Sequence, residues 1–190
     1  MEMKEALLTL TKNKEEAKLS GYVDLSGSTV SGFINNVYDG KIVTFSVSSK
    51  IFKGYIQNKV SFVFARACGH NVDWIHAYHC NGLKTIVHSA ADLSTEEAKT
   101  ILAEWVSMYK KGCEGKFHFY PNFKNPLEAV SKDWSYFITM AKNEFENEFK
   151  KQYDDLYYKN ARANGFFNDV NFESFKENTL KLLGDVNLIQ

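Results

Sequence analysis

The chain has 190 residues, of which 44% are hydrophobic and 15% aromatic. This composition predicts a folded domain with a sizeable core and excludes a disordered segment. Lysine plus arginine balance aspartate plus glutamate at 23 each, so the net charge does not indicate nucleic-acid binding. No apolar run approaches the roughly 20 residues that a membrane-spanning helix needs, and the charged start Met1–Glu5 is unlike a signal peptide. We therefore expect a soluble, cytoplasmic protein with no membrane partner.

Alternating helices and strands are predicted for the first half of the chain. In chain order, the patterns predict a helix over residues 3–18, strands over 20–25, 30–38 and 41–48, a helix from Phe52 to Gly69, and strands over 72–80 and 83–88. Asp39-Gly40 and Asn81-Gly82 separate successive strands, and such dipeptides are typical of two-residue hairpin turns. Each of these two pairs of strands is therefore predicted to be antiparallel.

Helices are predicted for the second half. Ser94 to Glu97 has the capping-box pattern and opens a helix that Gly112 closes. Pro126 begins another helix, predicted to reach about residue 160, and a last helix is expected over 171–184. We find no internal repeat or linker. The sequence thus predicts a single α/β domain over residues 1–190, with a core at about 1–112, a helical extension at about 113–190, and a mixed sheet of about five strands flanked by helices.

The order of helix, three-strand meander, helix and strand pair is the core layout of the restriction-endonuclease-like, or PD-(D/E)XK, fold. The chain also resembles the nuclease domains of bacterial recombination helicase-nucleases. In those domains a Gly-aromatic-x-Asp-Leu strand precedes a metal-binding Asp-x-Lys strand and a helix with Gln-x-x-x-Tyr. The corresponding residues here are Gly21-Tyr22-Val23-Asp24-Leu25, then Ser46-Val47-Ser48, then Gln57.

This resemblance implies that Asp24, Ser46, Ser48 and Gln57 occupy vestigial catalytic positions. Mg²⁺ prefers carboxylate oxygens, which serine hydroxyls seldom replace. We therefore expect no catalysis, no metal and no cofactor in this chain. If Asp24 lies on the strand next to Ser46, changing Ser46 to Asp and Ser48 to Lys should restore a metal site.

A resemblance over nearly the whole chain is to the C-terminal domain of the gamma subunit of exodeoxyribonuclease V, RecC, a nuclease-like domain that has lost catalysis. Three stretches carry this resemblance: Leu19-Ser20-Gly21-Tyr22, Lys59-Val60-Ser61-Phe62, and residues 94–112, which end in Tyr109-x-x-Gly112. It implies a piece of a longer subunit, acting as a scaffold in a RecBCD-type helicase-nuclease of DNA double-strand break repair and recombination. The implied partners are RecB-like motor-nuclease and RecD-like helicase subunits, with DNA reached through the assembled complex.

Two other functions stay open on the sequence alone. One is an active Mg²⁺-dependent DNA nuclease with migrated ligands, in which Asp39, Lys41 or Lys50 would complete a site with Asp24. The other is a protein-interaction module unrelated to DNA. The aromatic loop at 117–123 either packs over the sheet or contacts a partner. The candidates for contact with a partner lie in this loop and on the polar-aromatic face of the Tyr153–Tyr158 turn, namely Phe117, Phe119, Tyr120, Phe123, Tyr153, Tyr157 and Tyr158.

Histidines and cysteines concentrate between residues 68 and 88, where a zinc site could be suspected. On a strand through Trp74–Cys80, His76 and His79 point to opposite faces and cannot bind one ion without a bulge. We therefore predict ordinary strand histidines, one inward and one outward. Cys68, Cys80 and Cys113 show no paired spacing and are predicted to be buried thiols.

Overall fold

The structure is a computed structural model that describes residues 2–46, 51–79, 83–114, 126–137, 139–140, 143 and 169–183. The chain forms two compact units, Met1–Ser107 and Met108–Gln190. The sequence-based expectation of a single domain stays a prediction. None of the helices in the described part of the chain combines the length and apolar character needed to cross a lipid bilayer.

Unit 1 is built on one five-stranded sheet. Its elements are α1 (Glu2–Thr11), β1 (Glu16–Leu25), β2 (Ser28–Tyr38), β3 (Lys41–Ser46), α2 (Ile51–Ala67), β4 (Asp73–His79), β5 (Leu83–His88), a 3-10 turn (Ala90–Asp92) and the start of α3 (Thr95–Cys113). The strand order is β1-β2-β3-β4-β5, with β3 and β4 parallel and the other pairs antiparallel. The predicted α/β class with a five-stranded mixed sheet flanked by helices is confirmed.

Helix α2 connects the two parallel strands β3 and β4, because parallel neighbours require a crossover that a tight turn cannot provide. One face of α2 packs on the sheet and buries the side chains of Tyr55 and Phe62 against Trp74, which is itself fully buried. Gly69, at φ 84°, ends the segment in the left-handed region that favours glycine. The predicted helix from Phe52 to Gly69 is thus confirmed, and the core of unit 1 lies under it.

The β2–β3 hairpin follows its sequence signal. Asp39 and Gly40 have φ values of 48° and 70°, and a type I′ turn requires positive φ at both positions. Lys14 forms an ion pair with Asp39, with Nζ 3.3 Å from Oδ2. The second predicted turn, Asn81-Gly82, lies outside the described residues, although β4 and β5 pair antiparallel as expected.

The first predicted helix is wrong beyond Thr11. Asn13 adopts φ 61°, which is incompatible with a continuing helix, and β1 begins at Glu16. Residues from Glu16 onward pair along β2 through the register Glu16↔Tyr38 to Leu25↔Ser28. Strand pairing therefore overrides a local helical pattern that relied on a few leucines.

Helix α3 begins as the sequence predicts. The backbone N–H of Ser94 donates to Glu97 Oε2 over 3.0 Å, and the N–H of Glu97 donates to Ser94 Oγ over 3.3 Å. This reciprocal pair satisfies two N–H groups that the first turn of a helix leaves unbonded. The helix continues to Cys113, one residue beyond the predicted end.

Unit 2 includes α4 (Pro126–Ser131) and α5 (Asp169–Leu183). The predicted helix from Pro126 to about residue 160 is not continuous, because α4 ends at Ser131 and a new helical turn starts at residue 134. Residues 144–160 lie outside the described residues. Asp133 caps that turn by accepting the N–H of Tyr136 over 2.9 Å. The predicted last helix is confirmed within two residues at each end. Phe137 packs between Phe172 and Phe175 at ring-centroid distances of 4.7 and 5.0 Å.

The expectation of buried cysteines is wrong for Cys113, which is exposed. Cys68 is half-buried, and its thiol fills the space that a side chain at Gly21 would need, since a Cβ there would lie 2.6 Å from the sulfur. Burial raises the pKa of the Cys68 thiol. Cys80 lies outside the described residues.

Candidate functional site

Asp24 lies near the tip of the β1–β2 hairpin, on the face of the sheet opposite to α2. Its flanking residues Val23 and Leu25 are buried, so alternation directs the Asp24 side chain outward, where it is exposed. Its cross-strand neighbour is Thr29, whose hydroxyl donates to Asp24 Oδ1 over 2.8 Å. The carboxylate thus has a local hydroxyl partner in the hairpin.

Ser46 lies on the other face, beneath α2. Its side chain is 7% exposed, and a Cβ placed on Gly54 would lie 2.5 Å from Ser46 Oγ. Gly54 therefore lets the helix pass directly over the position where a nuclease of this type would carry a metal-binding acid. A carboxylate with a hydrated cation has no room there.

Asp24 and Ser46 are not neighbours, because β2 lies between β1 and β3. Ala17, Val37 and Ile42 form one row across the three strands. β1 and β3 run in the same direction, and counted from this row Asp24 is about three residues further along it than Ser46. At a rise of about 3.3 Å per residue this offset is roughly 10 Å along the strands, and two strand spacings add roughly 10 Å across the sheet. The two residues are therefore roughly 14 Å apart. The premise that they lie on adjacent strands is wrong.

Gln57 also points away from the sheet. It is exposed on α2, whereas Tyr55 and Lys59, two residues to either side, are buried. Ser48 lies outside the described residues. The same is true of all seven aromatic interaction candidates, Phe117, Phe119, Tyr120, Phe123, Tyr153, Tyr157 and Tyr158. The described vestigial positions are therefore not brought together.

The migrated-ligand alternative meets a geometric obstacle. Asp39 sits in the β2–β3 turn, whereas Asp24 is paired with Thr29 at the other end of β2. About ten residues of extended strand separate these two levels, which corresponds to roughly 30 Å. One ion cannot bind both carboxylates at that distance, and Lys41 adjoins Asp39 rather than Asp24. Lys50 lies outside the described residues. Within the ranges that the structure describes, no group of three or more His, Cys, Asp and Glu side chains could hold a metal ion.

The structure instead brings together a buried polar network beneath α2. Thr44 Oγ1 accepts a hydrogen bond from Trp74 Nε1 over 2.7 Å and lies 2.9 Å from His76 Nδ1. The hydroxyl of Tyr55 lies 2.9 Å from His88 Nε2. Trp74 and His88 stack with ring centroids 5.0 Å apart and planes 11° from parallel. These residues come from α2, β3, β4 and β5.

His76 is the most constrained member of this network. Its side chain is fully buried and faces inward, and its Nε2 atom has no hydrogen-bond partner among the described residues. Burial and, to a smaller extent, the nearby His88 lower the pKa of His76 to about 4. The imidazole is therefore neutral at pH 7. No described carboxylate orients it and no substrate can reach it, so the geometry indicates a core role rather than acid-base catalysis.

Sequence reasoning identified His76 but missed the rest of the network. The parallel register Thr44↔His76 and the antiparallel register Trp74↔His88 place these side chains on one face of the sheet. Their alternation within each strand is visible in the sequence, but which strands are neighbours is not. The chain matches no protein-family model, and no match was found among curated proteins.

Proposed function

We propose that this chain is a non-catalytic, nuclease-like scaffold domain of a RecBCD-type helicase-nuclease, similar to the C-terminal domain of the exodeoxyribonuclease V gamma subunit, RecC. In this role it supports subunit assembly and the path of unwound DNA during double-strand break repair and recombination. The observation that carries the proposal is the succession of α1, the β1-β2-β3 meander, α2 and the β4-β5 pair around one mixed sheet. This succession is the one expected of a restriction-endonuclease-like core.

The positions of the vestigial residues favour a scaffold over an enzyme. A metal-dependent nuclease needs carboxylates that converge on a cation and an open position for water. Here Asp24 faces outward at a hairpin tip, and Ser46 is buried against Gly54 on the opposite face. Acids substituted into this backbone would still not converge.

A nuclease assay tests the absence of catalysis. Purified full-length chain, incubated with linear duplex or single-stranded DNA and Mg²⁺ or Mn²⁺, should degrade neither, because no described acids converge on a metal. Degradation that persists in the Asp24→Ala variant would indicate a contaminating nuclease. Metal-dependent degradation that this variant abolishes would contradict the proposal.

Co-purification tests the scaffold role. The tagged chain should retain RecB-like motor-nuclease and RecD-like helicase subunits, since interface surface is uncovered when a domain is separated from its assembly. The double change of Phe119 and Tyr120 to Ala should weaken this association. Tyr109→Ala removes an exposed aromatic side chain on α3, serves as the matched control, and should leave the association unchanged. Failure to retain either subunit would favour an interaction module unrelated to DNA.

A further inference from the structure

The outer face of the β1–β2 ribbon carries two aromatic side chains in solvent. Tyr22 is 71% exposed and Phe33 is 60% exposed. Both point away from α2, because the alternate position Gly32 faces Phe64 of that helix and Gly21 faces Cys68, directly after it. Burial in the core of unit 1 therefore does not explain these rings.

The two rings are diagonal neighbours. Tyr22 pairs with Ser31 and Phe33 pairs with Ser20, so the rings come from adjacent strands two positions apart. Diagonal partners of this kind have Cα atoms roughly 7–8 Å apart. The residue directly opposite each ring is a serine, whose short side chain does not cover the ring.

A cation completes the surface. Lys18 Nζ lies 3.7 Å from the centroid of the Phe33 ring. Two described acids lie on the same face of β1: Glu16 accepts the backbone N–H of Asn36 over 2.9 Å, and Asp24 accepts from the Thr29 hydroxyl toward the hairpin tip. We define Lys18, Tyr22 and Phe33 as the ribbon strip.

The ribbon is also accessible as a unit. β2 pairs with β3 only through Val37↔Ile42 and Tyr38↔Lys41, next to the turn, whereas its pairing with β1 extends to the hairpin tip. Beyond these two residue pairs, the described part of β2 does not pair with β3. An extended ligand can therefore lie along its outer face.

We propose that the ribbon strip binds single-stranded DNA, with bases stacked on Tyr22 and Phe33 and a backbone phosphate held by Lys18, which leaves the Phe33 ring to reach the phosphate. Exposed aromatics accept unpaired bases in any sequence, and a flanking lysine supplies the charge complementary to phosphate. Aromatic side chains are also enriched at protein interfaces, but the serines opposite both rings and the lysine are residue types that interface cores lack. Stacking on the rings requires unpaired bases, which a single strand offers and a duplex does not. The choice of DNA over RNA rests on the proposed function.

Fluorescence anisotropy with the full-length chain and labelled oligothymidylate tests the proposal. Tyr22→Ala and Phe33→Ala should each weaken binding at least about fivefold, the loss expected for one base stack. Tyr22→Phe keeps the ring and should bind like the parent. Tyr109→Ala removes an aromatic that is 73% exposed on α3 and should have no effect. Lys18→Gln should lower the salt dependence of log K by about 0.7, the value for one phosphate contact on a single strand.

Several results would overturn the proposal. One is that the chain does not bind oligothymidylate at low salt. Another is that Tyr109→Ala weakens binding as much as Tyr22→Ala and Phe33→Ala do. A third is that duplex DNA or oligouridylate competes for the site more strongly than unlabelled oligothymidylate. A dimer that Tyr22→Ala and Phe33→Ala dissociate, without effect on the oligonucleotide, would show instead that a second copy covers the strip. If the chain still retains the motor subunits but its DNA binding is absent, or is unchanged by Tyr22→Ala and Phe33→Ala, the DNA site on the ribbon strip is refuted and the scaffold role is not. If DNA binding depends on the two rings but the chain retains neither subunit, the scaffold role is refuted and the DNA site is not.

Discussion

Acidification should destabilise unit 1 through His76. The imidazole is fully buried, Nδ1 is 2.9 Å from Thr44 Oγ1, and Nε2 has no hydrogen-bond partner among the described residues. Protonation would place a charge in this site with an N–H donor that no described group accepts. It would also add repulsion with His88 if that residue is charged. The folded state therefore resists the proton that the unfolded state takes up readily.

The size of the effect follows from the two pKa values. The pKa of His76 is 6.5 when unfolded and about 4 when folded. Because the folded value is the lower one, the unfolded state binds the proton first as the pH falls. Stability is therefore highest above pH 6.5, is lost between pH 6.5 and 4, and changes no further from this group below pH 4. At 1.36 kcal/mol per unit the full loss is about 3 kcal/mol, of which about 2 kcal/mol is reached by pH 5.

Urea unfolding at pH 7 and pH 5, followed by tryptophan fluorescence, measures this loss. A His76→Phe variant retains a ring but cannot titrate, so the difference between the two proteins removes contributions from other groups. The parent should lose about 2 kcal/mol more than the variant between these pH values. An NMR titration should give His76 a midpoint below pH 5. Equal pH dependence in the two proteins, or a midpoint near 6.5, would refute the reasoning.

Two further predictions concern the contact between α2 and β3. Gly54→Ala should lower the free energy of unfolding by about 1–3 kcal/mol, because the new Cβ would lie 2.5 Å from Ser46 Oγ. Adding Ser46→Gly to this variant should recover much of the loss, as measured by urea unfolding. Alanine stabilises an unobstructed helix relative to glycine, so a Gly54→Ala chain that is more stable than the parent would show that the close approach is absent. Changing Ser46 to Asp and Ser48 to Lys should give no gain in Mn²⁺ affinity by calorimetry, because Asp24 faces the other side of the sheet. The single change Ser46→Asp should lower stability, because a carboxylate buried without a partner costs several kcal/mol. Metal binding that Asp24→Ala removes would contradict this geometry.

Local chemistry in the sequence predicted much of the fold. The Asp39-Gly40 turn, the Ser94–Glu97 capping box and the change of period at Phe52 each depend on residues within a few positions of one another. Such signals remain valid in the folded chain unless a stronger nonlocal interaction competes. That competition occurs at residues 16–18, where pairing with β2 replaces the predicted helix.

The candidate site depended on information that the sequence does not contain. Gly21 to Leu25 and Ser46 suggested two neighbouring strands of a nuclease site, and alternation correctly predicts that one residue in two faces the core. Only the tertiary structure places β2 between β1 and β3, directs Asp24 outward and brings Gly54 against Ser46. Likewise, only the parallel pairing of β3 with β4 brings Thr44 beside His76. Strand neighbours and the covered face are decided by packing between residues distant in the chain, because one sheet can bury a given side chain only where a helix or another strand lies against it.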